Sequence, residues 1–219
     1  MMPALKTLTK TLICHHIPFG VTGVFHTLDS YQILVVPSIT DIDANDFDRL
    51  ESYVRQGGNL YLSGLESAEF ISRILDCKIQ GRTEENHIYI APTAPYEELF
   101  LGFNAKYPLP FNGTAPLITP SEDSEILATL TLPYTGSKDF KFASIHSNPP
   151  GVATQQPLMI KKKVGKGTVI WSAVNLEAVD IYEYGKIFTN LMTLFNPAYA
   201  FSSTASKNVE LTMFRQENR

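Results

Sequence analysis

Cysteine is scarce in this chain, and its net charge is small. Cys14 and Cys77 are the only cysteines among 219 residues. They stand far apart and lack metal-type spacing, so no disulfide framework or cysteine-based metal centre is implied and both read as buried reduced thiols. Charged residues make up 18% of the sequence, and 18 basic against 22 acidic side chains leave a net charge of -4. That balance is too mild for a polyanion-binding surface, so neither nucleic acid nor an anionic membrane is expected as a partner. No run of about 18 apolar residues is present to span a bilayer. The opening MMPALKTLTKTLICHHIPFG is amphipathic, without the continuous apolar segment of a signal peptide. A soluble protein follows, with a cytoplasmic setting favoured for the chain as it stands. What the chain does have is 44% hydrophobic content, enough at this length for one substantial core, or one core with a small appendage.

The clearest pattern lies between Tyr31 and Gly64, YQILVVPSITDIDANDFDRLESYVRQGGNLYLSG. Ile33 to Val36 form a short continuous apolar run, as expected of a parallel strand covered on both faces. Asp43 is placed to cap a helix, and Phe47, Leu50 and Val54 mark its apolar face at intervals of three and four. Gly57 and Gly58 supply the left-handed conformation favoured at a helix C-terminus. Leu60 to Leu62 give the next strand, so the segment reads as a βαβ unit with a right-handed crossover. An α/β doubly wound class follows.

Before this unit, Leu5, Leu8, Leu12 and Ile13 share one helical face, and Pro18 stops that helix near His16. Phe19 to Phe25 reads as the first strand. After it, 67–75 predicts a short helix and Lys78 to Gln80 a strand. From Arg82 to Thr154 short β-type runs such as Ile88–Ala91 and Glu125–Leu132 alternate with segments rich in Pro, Gly, Asn and Ser, the mark of an antiparallel or irregular insertion. Leu158–Val164 and Thr168–Val174 flank the turn Gly165-Lys166-Gly167. Asp180 to Phe195 predicts a helix closed by Asn196 and Pro197. Asn208 to Gln216 alternates enough to predict a last strand. The opening helix and this unpartnered strand give both ends a severed look.

Most of the polar and nucleophilic residues have a structural explanation. A nucleophile elbow needs Ser or Cys at a sharp turn between strand and helix; in Leu62-Ser63-Gly64-Leu65-Glu66 the serine precedes the turn and Leu65 occupies its centre. Cys14 neighbours His15 and His16 in sequence, but adjacent helical residues point about 100° apart, and the two histidines read as a surface pair at a helix end. Gly165-Lys166-Gly167 lacks the spacing and context of a phosphate loop. Lys161 to Lys163 read as an exposed edge protected from further pairing. Asn112-Gly113-Thr114 matches a glycosylation acceptor, relevant only in a secreted eukaryotic chain. Glu66, Glu69, Glu84 and Glu85 supply carboxylates, but glycosidase chemistry needs two held about 5 to 9 Å apart across a sugar, which sequence alone does not show. The loop Ser144 to Gly151 is richer: His146 and Asn148 precede a rigid diproline turn able to position polar groups for a ligand. Tyr96, Phe100, Phe103, Tyr107 and Phe111 either stack on a sugar or pack beneath a long loop.

The strings HHIPFGV, YQILVVPSITDIDANDFDRLESYVRQGGNLYLSG, SIHSNPPG, VGKGTVIWSAVNLEA and DIYEYGKIFTNLMTL together resemble the trimerisation domain of family-42-type beta-galactosidases and related glycoside hydrolases. The likeness covers Leu5 to Pro197. It implies a domain that follows a catalytic (β/α)8 barrel, is similar in fold to class I glutamine amidotransferases, lacks their catalytic cysteine and helps subunits assemble. The fold then expected is a three-layer, doubly wound, mostly parallel sheet of flavodoxin-like type over 1–200, with an irregular β-rich insertion at about 82–154. Residues 201–219 would begin a truncated C-terminal β segment.

The resemblance implies no catalytic residue, cofactor or metal in this chain, because the glycosidase carboxylates would lie on the absent barrel. Its expected partners are copies of itself, in a trimer if the resemblance carries over, the barrel, and carbohydrate, with His146, Asn148, Tyr96 and Tyr107 as the candidate ligand contacts. Two other classes stay open. One is an amidotransferase-like hydrolase using Cys14 or Ser63 with His146; the other is a carbohydrate-binding module observable through Trp171.

Overall fold

The computed structural model describes residues 2–23, 26–38, 43–64, 68–144, 146–214 and 216. Its elements in chain order are α1 (Met2–Cys14), β1 (Ile33–Pro37), α2 (Ala44–Gln56), β2 (Asn59–Ser63), α3 (Ala68–Leu75), β3 (Lys78–Arg82) and β4 (His87–Pro92). They continue with β5 (Leu109–Asn112), β6 (Pro116–Thr119), β7 (Glu125–Pro133), β8 (Pro150–Val164), β9 (Gly167–Ser172) and α4 (Tyr182–Met192). Short 3-10 turns occupy Ala94–Phe100, Leu176–Ala178 and Thr193–Phe195.

The βαβ unit forms as its pattern predicts. The Asp43 carboxylate accepts the Asp46 amide and caps α2, and Gly57 takes φ 125 at the other end, a conformation that costs other residues a steric clash. The run from β1 to β2 ends in a parallel ladder that pairs Ile33 with Asn59 and Pro37 with Ser63. α1 also stops where proline predicts, with His16 left-handed at φ 54.

Seven strands make one sheet in the order β1-β2-β9-β8-β7-β4-β5, while β3 and β6 pair separately. Only β1, β2 and β9 are parallel. The expectation of a mostly parallel sheet is corrected here: β8 joins β9 through the tight turn at Gly165 and Lys166, which forces antiparallel pairing. β7, β4 and β5 then extend the sheet in the antiparallel sense. The sheet is therefore mixed, with its parallel character confined to one side.

α2 and α3 pack as a pair through the Phe47 and Phe70 rings, 5.3 Å apart edge to face, with Arg73 spanning to Asp48 and Glu51. α1 and α4 form a second pair, where Gly185 lies so close to Thr11 that a Cβ would come within 2.9 Å of it. Tyr61 of β2 meets Phe188 of α4 at 5.1 Å. Leu60 and Leu62, alternating with it, point to the other face of the sheet, and all three are fully buried.

Three other expectations change. Residues 19–23 are not a strand, since Phe19 and Val21 are exposed beside the edge strand β1 and make no ladder with it; Val24 and Phe25 lie outside the described residues. Residues 208–214 are exposed coil rather than strand, because an alternating pattern without a ladder partner does not hold a strand in water. The lysine run does not mark an edge, because β8 lies between β9 and β7. Lys162 is buried there, with its ammonium 3.0 Å from the Leu75 carbonyl, 2.7 Å from Ser121 Oγ and 2.9 Å from Asp123. It ties β8 to the end of α3. Replacing it by methionine keeps the stem but removes the ammonium that bonds Leu75, Ser121 and Asp123 together, so Lys162→Met is expected to lower stability by about 1–3 kcal/mol in urea denaturation.

Candidate functional site

Pro37, Ser63 and Ser172 lie level with one another at the C-terminal ends of the three parallel strands. In α/β sheets this edge is where ligands bind. Tyr61 and Ser63, two residues apart, project from the same face toward Glu177 of the turn Leu176–Ala178. Ser63 Oγ donates to one carboxylate oxygen of Glu177 and the Tyr61 hydroxyl donates to the other at 3.2 Å. Ser38, left-handed at φ 49, donates its amide to the Ser63 carbonyl at 3.0 Å and to Ser63 Oγ at 3.3 Å. Its own hydroxyl accepts from Asn175 Nδ2 at 2.7 Å. Strand ends and the turn before α4 are thus joined by one polar network.

Glu177, Ser63, Tyr61 and Ser172 are all 0% exposed. Burial disfavours the carboxylate and pushes Glu177 up to about 7, against the pull of its Ser63 and Tyr61 hydrogen bonds. The same burial, with Glu177 alongside, pushes the Tyr61 phenol well up. A carboxyl group titrating near neutrality is a common property of catalytic acids, but this one is sealed inside. Among the described residues no three His, Cys, Asp or Glu side chains converge to hold a metal.

Among the described residues, the corner after β2 has no serine or cysteine at its left-handed position. The left-handed position is Gly64, at φ 64, where the sequence pattern placed Leu65; Leu65 and Glu66 lie outside the described residues. An elbow needs its reactive side chain at that strained position, and glycine has none. Cys14, half-buried at the end of α1, belongs to a different part of the chain from Ser63. From Met159, level with Ser172, β8 runs on to Pro150, roughly 30 Å of extended chain, before the loop that holds His146. Ser63 and His146 are not brought together.

The remaining predicted residues scatter. His146 is exposed in the β7–β8 loop, its amide on Ser144 Oγ at 3.1 Å. Asn148 uses its amide group across that loop, accepting from the Thr135 amide at 2.9 Å and donating to the Thr135 carbonyl at 2.7 Å. Tyr96 is buried with Phe100 and Phe111, whereas Tyr107 is 63% exposed before β5. The histidine pair divides: His15 stacks on Tyr182 at 4.7 Å, and His16 is buried with Nε2 2.8 Å from the Val209 carbonyl. That corrects the reading of a surface pair, because the left-handed turn at His16 folds its ring inward. Trp171 is fully buried. Sequence reasoning passes over Glu177, whose signal is a lone acid in a run after β9, AVNLEAV, that is otherwise apolar except for Asn175.

No family model matches the chain, and no curated protein sequence does. Solved structures do share its fold. Alpha-L-fucosidase isoenzyme 2 from Paenibacillus thiaminolyticus is 18% identical with a TM-score of 0.69, over 88% of this chain and 29% of that one. The beta-galactosidase from Bacillus circulans sp. alkalophilus is 12% identical with a TM-score of 0.66, over 94% of this chain and 28% of that one. Cytoplasmic protein STM1381 from Salmonella typhimurium LT2 is 15% identical with a TM-score of 0.55, over 89% and 86% of the two chains. At these identities the likeness is one of fold. The chain spans less than a third of the fucosidase and galactosidase chains it matches.

Proposed function

We propose that this chain is a non-catalytic accessory and assembly domain of a glycoside hydrolase. In this reading residues 1–200 form a doubly wound unit of the class I glutamine amidotransferase kind, 82–154 is its β-rich insertion, and 201–219 leads into a further β segment. The observation that carries the reading is lopsided coverage: nearly the whole chain finds its fold within two glycoside hydrolases, yet accounts for under a third of either. The reactions of those enzymes then belong to parts this chain does not contain. Gly64 at the elbow and the sealed Ser63–Glu177 pair support a scaffold rather than a reaction centre. The exposed His146 and Tyr107 are the residues left to touch carbohydrate at a neighbouring subunit; Asn148 and Tyr96 shape the loops that carry them.

Light scattering over a range of concentrations tests the proposal. A trimer, or a mass that climbs toward one, is the expected result. A strict monomer at high concentration removes the assembly role from this chain.

A further inference from the structure

The β7–β8 hairpin carries two aromatic rings that no described residue covers. Phe140 is 101% and Phe142 87% exposed, and Tyr134 and Val152 at the hairpin's base are open as well. The base itself is braced: Asn148 holds Thr135 from both sides, Tyr89 donates to the Asn148 carbonyl at 2.5 Å, and Lys138 meets Glu84 at 2.7 Å. Isolated exposed apolar residues are ordinary, whereas a cluster on a fixed projection marks a contact surface.

A recess of about 500 Å³ lies along the edge strand β1. Leu8, Leu12 and Val35 line it, Phe19 and Val21 form an exposed rim, and none of the described residues in its wall is charged. β1 stands at one end of the strand order and is separated from β8 by β2 and β9, so the hairpin and the recess are built from different parts of the sheet.

Resting on the assembly reading, we propose that Phe140 and Phe142 of one copy seat in the β1-side recess of a second copy. A buried aromatic side chain removes about 150–250 Å² from water, so the two rings supply roughly half of the ~800 Å² per partner in a standard interface. Tyr134 and Val152 extend that area. The contact is heterologous, because the finger and its receiver are different surfaces. Each copy added therefore leaves one of each unfilled until a ring closes.

Light scattering on the wild type, Phe140→Ser/Phe142→Ser and Val21→Glu decides the matter, with thermal melting to confirm folding; all three positions are solvent-exposed. Both variants are expected to be monomeric where the wild type assembles, with the dissociation constant raised at least about a hundredfold. Mixed together, the two variants should form a one-to-one dimer and nothing larger, since one supplies an intact finger and the other an intact recess. An assembled Phe140→Ser/Phe142→Ser protein overturns the finger and leaves the assembly reading standing. A monomeric finger variant beside an assembled Val21→Glu overturns the recess as its receiver. A wild type that stays monomeric overturns the finger and the assembly reading together.

Discussion

Unfolding free energy is expected to fall by about 3 kcal/mol as pH rises from 4.5 to 7, and to level off above that. Glu177 titrates near 7 in the folded protein because burial disfavours its charge, against an ordinary value of 4.5. Between those values the folded state holds a proton that the unfolded chain releases, so the contribution is fully present below 4.5 and is lost as pH climbs through 7. About 2.5 pH units at 1.36 kcal/mol each set the magnitude. Glu177→Gln keeps the shape and a hydrogen-bonding carbonyl while removing the titration, so the slope should vanish and the variant should exceed the wild type at pH 8. Urea midpoints at pH 4.5, 6, 7 and 8 check it. A wild-type profile that rises across this window, or a Glu177→Gln profile with the same slope, refutes the assignment.

Gly167→Ala should be the most damaging small substitution in the chain. A Cβ there would lie 2.1 Å from the Gly58 carbonyl oxygen and 2.4 Å from that of Val54. Both are backbone atoms at the end of α2, so neither can rotate away. The turn is also tied down beside it, with the Lys166 amide bonded to the Arg55 carbonyl at 3.2 Å. Relief requires lifting the β8–β9 turn off the helix, which also pulls on the ladder pairing Thr168 with Asn59. A loss of at least about 3 kcal/mol is expected, seen as a fall of roughly 10 °C in melting temperature for a protein of this size. Gly20→Ala, whose Cβ would find its nearest neighbour at an ordinary 3.5 Å, should stay within about 0.5 kcal/mol and serves as the control.

What was legible in the sequence was local. The β1-α2-β2 unit announces itself because the cap, the apolar spacing and the closing glycine all act within a few residues of each other. The β8–β9 turn is legible for the same reason. The sense of the rest of the sheet is not, since Pro150–Gln156 of β8 and the short strands β5 and β6 are fixed by partners distant in the chain. Lys162 shows the limit well. Three consecutive lysines look like a solvated edge, yet one of them spans to a helix end that only the tertiary fold brings near. The candidate site divides in the same way. Ser63 stood out as a residue beside a turn, but its partner Glu177 lies far along the chain and reads as ordinary until the strands are ordered.

The place of β9 in the sheet has a consequence for synthesis. Asn59 of β2 waits for Thr168 of β9, roughly a hundred residues later, which at ribosomal rates of 5–20 residues per second is a delay of about 5–20 s. During that interval the inner edge of β2, flanked by Leu60, Tyr61 and Leu62, is an unpaired apolar strand open to any other chain emerging nearby. A nascent polypeptide with this order of strands depends on chaperone cover or dilute conditions until its last third is made, and its yield should be limited by that window rather than by the stability of the finished fold.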